Sequence, residues 1–404
     1  MALMPVEEAL ARLLSVAAPL SSETIPLVDA HRRVLAQGVV ARRTTPGADV
    51  SAMDGYAVRV IDALSVPAAL RLVGESAAGR PYAGTLAQGN TVRIFTGAVM
   101  PDGADAVVIQ EDTTREADLV TMLEAATLGR HIRRAGGDFT AGHVVVEAGR
   151  RLTARDLSLI ASADCARVSV ARRPRIALLS TGDELVRPGM GAAAHQVILS
   201  NIYSVGALAR QAGAEVTDLG ILPDRMEATQ AGVRAALDGG FDVIVTTGGA
   251  SVGDHDLVAP ALMAQGVELA VHKVALRPGK PLMFGRSGPT HVLGLPGNPV
   301  SAHVCALLYL VPLLNALQGV SGGDALPLRR AELGIDLKAN DHRMDFMRAE
   351  IVSEGDCGPI VRPLPVQDSS MMSVLARADA LLVRRPHAPA ASRGDRCEIL
   401  PLQD

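Results

Sequence analysis

Three glycine-containing segments could bind an oxyanion, because each follows a short apolar run typical of a buried strand. They occupy residues 180–185 (STGDEL), 246–256 (TTGGASVGDHD) and 294–301 (GLPGNPVS). Glycine has no Cβ, so backbone N–H groups in such loops can approach a phosphate closely. Loops at the carboxyl ends of strands are also where open α/β sheets bind their ligands. The three segments together predict a phosphate or oxyanion site.

Basic residues accompany these loops. Residues 277–281 (RPGKP) place Arg277 and Lys280 beside a rigid turn, and Lys273 lies four positions before Arg277. These cations could neutralise a bound polyanion. A solvated basic loop is the alternative interpretation of the same residues.

Carboxylates collect on the same loops, at Asp183, Glu184, Asp224, Asp254 and Asp256. Magnesium is commonly held by one or two carboxylates together with a substrate phosphate, so the acidic residues indicate a magnesium site. Helix capping is the alternative for Asp224 and Asp254, which precede helical patterns. Capping could explain one of these carboxylates but not their accumulation.

Other motifs exclude several classes of enzyme. The sequence contains neither a Walker loop nor a G-x-G-x-x-G fingerprint, which argues against a P-loop NTPase or a nicotinamide dehydrogenase. The four cysteines form no C-x-x-C pair, so we expect reduced thiols and no zinc site. Single histidines such as His255, His272 and His303 have no spaced second ligand, and we interpret them as structural or surface residues.

Parallel strands are needed to bring the three loops to one edge of a sheet. From Arg175 onward, short apolar runs alternate with helical patterns, which we place at residues 201–211, 225–237 and 257–264. This alternation predicts a doubly wound parallel sheet with helices on both faces. We assign residues 173–323 to this central α/β domain.

Three further units are predicted around the α/β domain, giving a multidomain protein of α/β plus β class. Residues 43–138 hold short β-rich runs between turn residues and are interpreted as an inserted β domain. Residues 1–42 and 139–172 form one discontinuous α+β domain, with helices at the amino terminus, at 29–37 and at 153–163. Residues 324–404 have short alternating apolar runs and are predicted to form a C-terminal β-barrel-like domain.

Composition limits the environment and the partners of the chain. Its formal net charge of -4, with dispersed Lys and Arg, gives no electrostatic footprint for nucleic acid. The apolar run at 300–317 contains His303 and Pro312, which favours a buried helix over a membrane span. The amino terminus carries Glu7 and Glu8 within its apolar stretch and has no basic leading region, unlike a signal peptide. We therefore expect a cytoplasmic protein that contacts no membrane.

Taken together, these motifs resemble the MoeA/gephyrin E-domain family. The resemblance extends to residues 51–57 (SAMDGYA), 93–97 (RIFTG) and 136–138 (GGD), and covers nearly the whole chain. It implies a homodimer of four-domain subunits with composite active sites, in which this inserted β domain faces the α/β domain of the partner. It also implies the last step of molybdenum cofactor biosynthesis, in which molybdate and adenylyl-molybdopterin give the cofactor and AMP.

The resemblance also implies roles for individual residues. The catalytic set would be Asp54, Thr96, Asp138, Glu184, Lys273, Arg277 and Lys280. The pterin and molybdate would be bound by Thr181, Gly182, Asp183, Gly248, Gly249, Ser251, Gly253, Pro296, Gly297, Asn298, Ser301, Arg348 and Ser373. Magnesium would be bound by Asp224 and Asp256. Molybdate in particular would contact Lys280, Ser301 and the C-terminal domain.

Two other functions remain open at this point. Enzymes that adenylylate molybdopterin share the α/β domain but lack the SAMDGYA motif and the flanking units, and a non-catalytic scaffold could use the same fold. The retained carboxylates and Lys280 argue against the scaffold. Arg277 stands where many relatives have lysine, so a planar fork replaces a point charge. Transient contacts with the adenylyltransferase and with recipient molybdoenzymes are further expectations.

Overall fold

The computed structural model describes residues 3–248, 257–322, 325–355 and 358–402, without the side chains of Val271 and His272. The chain begins with helix α1 (Val6–Ser15) and strands β1 (Ser22–Pro26) and β2 (Val39–Val40). An all-β segment follows, with strands β3 (Val50–Ser51), β4 (Gly55–Val58), β5 (Ala68–Ser76), β6 (Asn90–Ile94), β7 (Ala106–Ile109), β8 (Thr113–Glu116), β9 (Leu119–Met122) and β10 (Ile132–Arg133). Six of these form one sheet in the order β7-β4-β6-β5-β9-β8. Its alternating side chains are buried on both faces, Tyr56 and Val58 on one and Ala57 on the other.

The chain then returns to its first segment through β11 (Val144–Val146), α2 (Ala154–Ser162) and β12 (Arg167–Ala171). Strand β11 pairs with β2 and β12 pairs with β1, both antiparallel, so the segments on either side of the all-β insertion share one unit. Helix α2 begins at a capping box, in which Thr153 and Asp156 bond each other's backbone N–H. The helix predicted at 153–163 is confirmed.

The helix predicted at 29–37 is wrong. Only a 3₁₀ turn forms there, at Leu27–Asp29. Val34 and Leu35 instead make isolated bridges to Arg151 and Val170, and both side chains are fully buried. The apolar residues whose spacing suggested a helix instead pair with residues far away in the sequence. Here tertiary contacts override a local sequence pattern.

The central unit alternates strands and helices. Its elements are β13 (Arg175–Thr181), β14 (Leu185–Val186), β15 (Val197–Ile198), α3 (Asn201–Gln211), β16 (Glu215–Leu222), α4 (Met226–Asp238), β17 (Val243–Thr247), α5 (Val258–Ala264), β18 (Glu268–Lys273), β19 (Leu276–Arg277), β20 (Pro281–Ser287), β21 (Thr290–Leu295), α6 (Pro299–Cys305) and α7 (Val311–Leu317). A π-helical turn at Ala306–Leu310 joins α6 to α7. The main sheet has the order β16-β13-β17-β21-β20-β18.

This sheet is mixed, whereas the sequence predicted a parallel one. Strands β16, β13, β17 and β21 are parallel, but β20 runs antiparallel to both of its neighbours. The reason is the short connection between β20 and β21, which turns at Gly288 with φ +56°. A tight turn of this length can join only antiparallel strands, because a parallel crossover needs many more residues.

Both faces of the sheet are covered by helices, as predicted. Along β13, Ile176 and Leu178 pack with α1, α3, α6 and α7, while Ala177 and Leu179 pack with α4 and α5 on the other face. The long apolar stretch Pro299–Leu317 is a core helix here, with 72% of its most hydropathic window buried. Because both faces of the sheet are buried, the central strands have apolar residues at successive positions.

The last unit is a closed barrel. It contains strands β22 (Arg329–Leu333), β23 (Met344–Gly355), β24 (Gly358–Pro363), β25 (Ala380–Arg384) and β26 (Arg396–Pro401), with helix α8 (Met372–Ala376) between β24 and β25 in the chain. Around the barrel the strands have the order β23-β24-β22-β26-β25. Pairing of β23 with β25 closes the ring, and β19 of the central unit adds to β23. The barrel and the multidomain fold class are confirmed, whereas the domain boundaries given above stay predictions.

Candidate active site

A cavity of about 760 Å³ lies at the carboxyl ends of the central strands. Strands β13, β17 and β21 are adjacent in the sheet, so the loops that follow them meet at one edge. The cavity is lined by Thr181, Gly182, Glu184, Leu185, Val197, Ile198, Leu199, Ser200, Asn201, Asp224, Thr247, Gly248, Pro281, Pro296, Gly297, Asn298, Pro299, Ser301 and Ser370. The described parts of the three glycine-containing segments therefore share one edge of the sheet, whereas residues 249–256 of the second segment lie outside the described residues.

Gly248 is required by the geometry of this edge. It follows β17 directly and has φ +92°, a conformation that side chains other than glycine rarely adopt. A Cβ at this position would lie 2.8 Å from the carbonyl oxygen of Thr181 at the end of β13. The glycine therefore allows two neighbouring loops to approach each other at the floor of the cavity.

The acidic corner of the cavity joins two strand ends. Asp183 N–H donates to Asp224 Oδ2 at 3.3 Å, and Asp224 N–H donates to Asp183 Oδ1 at 3.1 Å. Helix α4 begins without a side-chain cap, so the capping explanation does not hold for Asp224. Asp224 and Glu184 both line the cavity. Two carboxylates consequently face the space that a ligand would occupy.

Another part of the cavity lining combines the starts of α3 and α6 with a loop of the barrel. Asn201 at the start of α3 donates to the carbonyl of Gly297 at 2.8 Å. Asn298 Nδ2 donates to Ser369 Oγ at 3.0 Å, and Val300 N–H donates to the Ser369 carbonyl at 3.1 Å. These bonds place the neighbouring Ser370 at the cavity.

Asn201 was not among the predicted site residues, and within residues 370–373, which resemble the family's C-terminal contribution, Ser373 rather than Ser370 was assigned to the site. Ser373 lies exposed on α8 and is not among the residues that line the cavity. Ser301, which was predicted, lines it and is only 4% exposed. A signal for Asn201 existed in its position at a predicted helix start beside a strand end, whereas nothing local distinguishes Ser370 from Ser373.

The three predicted cations have different surroundings. Lys280 is exposed and immediately precedes Pro281, which lines the cavity. Lys273 ends β18, and its carbonyl accepts a bond of 3.1 Å from Met4 N–H. Arg277 forms ion pairs with Asp341 and Asp345 of the barrel. Of the three, Lys280 is the cation nearest in sequence to a residue that lines the cavity.

Arg348 is buried behind the barrel loop of the cavity. It is 1% exposed, and its Nη2 donates to the carbonyl of Asp368 at 3.3 Å. Desolvation lowers the pKa of its guanidinium below the ordinary value for arginine. Its Nε is buried and has no hydrogen-bond partner within the described residues. Arg348 thus lies next to Ser369 and Ser370 but is not exposed to the cavity.

Asp54 and Thr96 lie together on the surface of the inserted β segment. Asp54 Oδ1 accepts bonds from Thr96 N–H at 2.7 Å and from Thr96 Oγ1 at 2.8 Å, and these bonds lower the pKa of Asp54. Arg93 lies over the rings of Tyr56 and Phe95, at 5.0 and 4.9 Å from their centroids. The SAMDGYA and RIFTG motifs therefore form one surface.

Neither this surface nor Asp138 contributes to the cavity of the same chain. Asp54, Thr96 and Asp138 are exposed and are not among the residues that line it. Asp138 N–H donates to the carbonyl of Thr45 at 3.1 Å, which holds the GGD turn against the start of the β segment. The structure of one chain thus separates these predicted catalytic residues from the strand-end loops.

Part of the predicted site lies outside the described residues, namely Gly249, Ser251, Gly253 and Asp256. Within residues 3–248, 257–322, 325–355 and 358–402, no three His, Cys, Asp or Glu side chains are grouped closely enough to hold a metal ion. Of the two predicted magnesium ligands, the described structure therefore places only Asp224 at the cavity.

Models of three protein regions match the chain in succession. The MoeA N-terminal region, domains I and II, matches residues 4–163. A probable molybdopterin binding domain matches residues 177–316, which contain the strand-end loops. The MoeA C-terminal region, domain IV, matches residues 330–402, which form the barrel.

Similar proteins and structures span the same length. A molybdopterin molybdenumtransferase of Haemophilus influenzae is 35% identical over 95% of this chain and 94% of its own. The molybdopterin molybdenumtransferase 2 of Mycobacterium tuberculosis is 36% identical over 89% of this chain and 90% of its own. The crystal structure of a molybdopterin biosynthesis moeA protein from Pyrococcus horikoshii superposes with a TM-score of 0.85 at 25% identity, covering 98% and 99% of the two chains.

Proposed function

The chain belongs to the MoeA family of molybdopterin molybdenumtransferases, and from this premise we propose that its strand-end cavity binds adenylyl-molybdopterin and inserts molybdenum from molybdate. The single observation that carries the proposal is the meeting of three glycine-containing loops and two carboxylates in one cavity of about 760 Å³. Such a cavity is large enough for a drug-sized ligand. The enzyme is a transferase of molybdenum cofactor biosynthesis.

The loops after β13, β17 and β21 supply the anion-binding part of the proposed site. Gly182, Gly248 and Gly297 line the cavity, and their lack of side chains lets the backbone approach a pyrophosphate. Ser301 and Ser370 offer hydroxyl donors in the part of the lining formed by α6 and the barrel loop. Lys280 would add a full positive charge beside that part, which suits a small dianion such as molybdate. We therefore assign the pyrophosphate to the loops and molybdate to the side of Lys280.

Magnesium fits the acidic corner by its chemistry. Asp224 and Glu184 present carboxylate oxygens to the cavity, and hard oxygen donors with a substrate phosphate are the usual environment of this ion. Asp224 would hold the ion together with Asp256, which lies outside the described residues. When bound, the metal would stabilise the negative charge that develops as AMP leaves. The hydrogen bonds between Asp183 and Asp224 fix the carboxylate in position for this task.

We further propose that the enzyme acts as a homodimer in the cytoplasm. The support for the dimer is that Asp54, Thr96 and Asp138, assigned to catalysis by resemblance, lie apart from the cavity of their own chain. A second copy could present them to it. An adenylyltransferase made of the α/β domain alone would not need the β segment and barrel, which the similar transferases share along nearly their whole length.

The direct test measures AMP release from adenylyl-molybdopterin with and without molybdate and Mg²⁺. The wild-type chain should release AMP only when both are present. Asp224→Asn should slow release by on the order of 10²-fold or more, because it removes a charge from the metal site. Asp238→Asn, an exposed carboxylate at the far end of α4, serves as the matched control and should retain wild-type turnover.

Three results would contradict the proposed function or its metal site. Full magnesium-dependent turnover in Asp224→Asn would show that Asp224 is not a magnesium ligand. Release of AMP without molybdate at the rate seen with molybdate would show that cleavage of adenylyl-molybdopterin does not depend on molybdenum insertion. Consumption of ATP with molybdopterin, in place of adenylyl-molybdopterin, would favour the adenylyltransferase.

A further inference from the structure

Arg277 is held by three residues of the barrel, and we refer to Arg277, Asn340, Asp341 and Asp345 as the Arg277 joint. Arg277 Nε donates to Asp345 Oδ1 at 2.7 Å, and Nη2 donates to Asp345 Oδ2 in a second, parallel bond. Nη1 donates to Asp341 Oδ2 at 3.1 Å, and Nη2 also donates to Asn340 Oδ1 at 3.2 Å. This fork-on-carboxylate geometry is the strong form of an ion pair.

The joint leaves Arg277 little capacity to bind a substrate. A guanidinium has five N–H donors, and protein acceptors occupy four of those of Arg277. Its charge is also balanced, because Arg343 bonds Asp341 as well and the cluster contains two arginines and two aspartates. Arg277 was predicted to be a countercharge for a bound polyanion. Its ion pairs with the barrel show that its charge is already neutralised by protein carboxylates.

The loop that Arg277 anchors is the one that carries Lys280. Gly279 is packed so closely on α6 that an added Cβ would overlap Cys305 Sγ. The Lys280 carbonyl accepts a bond of 3.1 Å from Val274 N–H. The next residue, Pro281, lines the cavity. Fixing Arg277 to the barrel therefore fixes the backbone from which the Lys280 side chain extends.

The barrel end of the joint is connected to the same cavity. Asp345 lies on β23, 10% exposed at its side chain, and Arg348 follows three residues later on that strand. Arg348 donates to the carbonyl of Asp368, next to the loop that places Ser370 at the cavity. The joint therefore connects two elements that each bring a polar group to the oxyanion side of the site.

We propose that Arg277 and Asp345 are positioning residues, which set the distance between Lys280 on the α/β unit and Ser370 on the barrel so that both can contact one oxyanion. This inference rests on the function proposed above. Arg277 and Asp345 form one ion-paired bridge between the α/β unit and the barrel. Replacing either residue should therefore lower kcat/KM for molybdate to the same extent. A misplacement of about 1 Å in such a site can cost up to ~10²-fold in rate.

A double-mutant cycle tests the bridge in the full-length protein. Arg277→Gln, Asp345→Asn and the double variant are compared for AMP release at varied molybdate and fixed adenylyl-molybdopterin. We expect each single variant to lower kcat/KM for molybdate by roughly tenfold and the double variant to be no worse than the singles. Half-saturation by the adenylylated pterin should change much less than half-saturation by molybdate. Arg277→Lys keeps the charge and one bond to Asp345 but not the fork, so its kcat/KM for molybdate should lie between those of the wild type and Arg277→Gln.

A matched control exists at the opposite end of the sheet. Arg172 also makes a bidentate ion pair, in which Nη1 and Nη2 donate to the two carboxylate oxygens of Asp242 at 2.7 and 2.6 Å. Asp242 directly precedes β17, at the end of the strand opposite to the cavity. Asp242→Asn should lower thermal stability as Asp345→Asn does but leave the molybdate dependence unchanged. Amide exchange at Val274 gives a readout without substrate, and it should accelerate in the Arg277 and Asp345 variants only.

Several outcomes would overturn the proposal. A loss in Arg277→Gln far larger than in Asp345→Asn, with additive effects in the double variant, would mean that Arg277 contacts the substrate directly. If the Arg277 and Asp345 variants lose thermal stability but keep wild-type kinetics and wild-type amide exchange at Val274, the bridge has only a structural role. If the wild-type chain shows no molybdate-dependent AMP release, the proposed function fails, whereas the exchange measurement still decides whether the bridge orders the loop.

Discussion

Gly248 lies close to the end of β13 at the cavity, and both Gly248 and Thr181 line it. Both the positive φ of Gly248 and the 2.8 Å that would separate a new Cβ from the Thr181 carbonyl oppose any side chain here. The conformational strain alone costs on the order of 1–3 kcal/mol, and the overlap must additionally move one loop. The loop that would move is the one on which we place the pyrophosphate.

Gly248→Ala should therefore weaken binding of adenylyl-molybdopterin beyond what lost stability explains. Gly266→Ala provides the comparison, because Gly266 also has a positive φ, +79°, but nothing lies within 4 Å of its Cβ position. The two variants should lose similar amounts of thermal stability from strain. Only Gly248→Ala should raise half-saturation by the adenylylated pterin, and equal half-saturation in both variants would contradict our placement of the ligand.

At the residue scale, residues that act within their own loop were predicted more accurately than residues whose role depends on partners far away in the sequence. Gly248, Asp224 and Ser301 lie on or beside loops that the alternation of strands and helices placed at strand ends, and the resemblance assigned them to the site. All three line the cavity. Arg277 has the same charge and setting as Lys280 in the sequence. Its partners, Asp341 and Asp345, lie 64 and 68 positions away, so its ion pairs could not be foreseen.

Among the elements, α3 connects the cavity with the amino-terminal unit. Its first residue, Asn201, bonds Gly297 at the cavity. At its other end, the carbonyl of Ala212 accepts bonds from Arg151 at 3.1 Å and Gln318 at 2.7 Å, and Arg32 donates to Gln211. Positive charge at a helix carboxyl end is favourable because the last carbonyls are unpaired within the helix.

Arg151→Leu should accordingly destabilise the contact between the two units. Burial and neighbouring cations lower the pKa of Arg151 to about 10, so the group stays charged at neutral pH. Losing its bonds to Ala212 and Asn315 should cost about 2 kcal/mol, since hydrogen bonds to charged groups contribute ~1.5–3 kcal/mol. Thermal unfolding and amide exchange at the end of α3 measure the loss. Arg155→Leu, exposed on α2, is the control, and equal effects would refute the role of Arg151.

Helices were the elements that the sequence predicted best. The predicted range 201–211 coincides with α3, and α2 and α5 differ from prediction by a residue at their ends. Periodicity succeeds here because one face of each helix packs on the sheet. It failed at 29–37, where the buried Val34 and Leu35 pair with distant strands, and for β20, whose direction depends on a turn rather than on its composition.

At the scale of the whole molecule, the most distinctive motif lies away from the cavity. The Asp54–Thr96 pair is exposed on the β segment, and its hydrogen bonds hold two motifs in one surface. A structural Asp-Gly turn would explain Asp54 by itself. It would not explain why the exposed Thr96 and the stacked Arg93 present a shaped, polar surface beside it. In the homodimer proposed above, this surface would complete the cavity of the second subunit.

Two-fold symmetry turns this arrangement into a quantitative prediction. If each site needs Asp54 from one subunit and Asp224 from the other, Asp54→Ala and Asp224→Asn homodimers should both be nearly inactive. Co-expression of the two variants should restore activity, because one of the two sites in a mixed dimer receives both intact residues. Random pairing makes roughly half of the dimers mixed, each with one good site of two, so the recovered activity should approach roughly a quarter of wild type. Mixed dimers isolated with two different affinity tags should reach roughly half. If the isolated mixed dimers stay as inactive as their parents, Asp54 does not act across the interface, and its contact with Thr96 is structural.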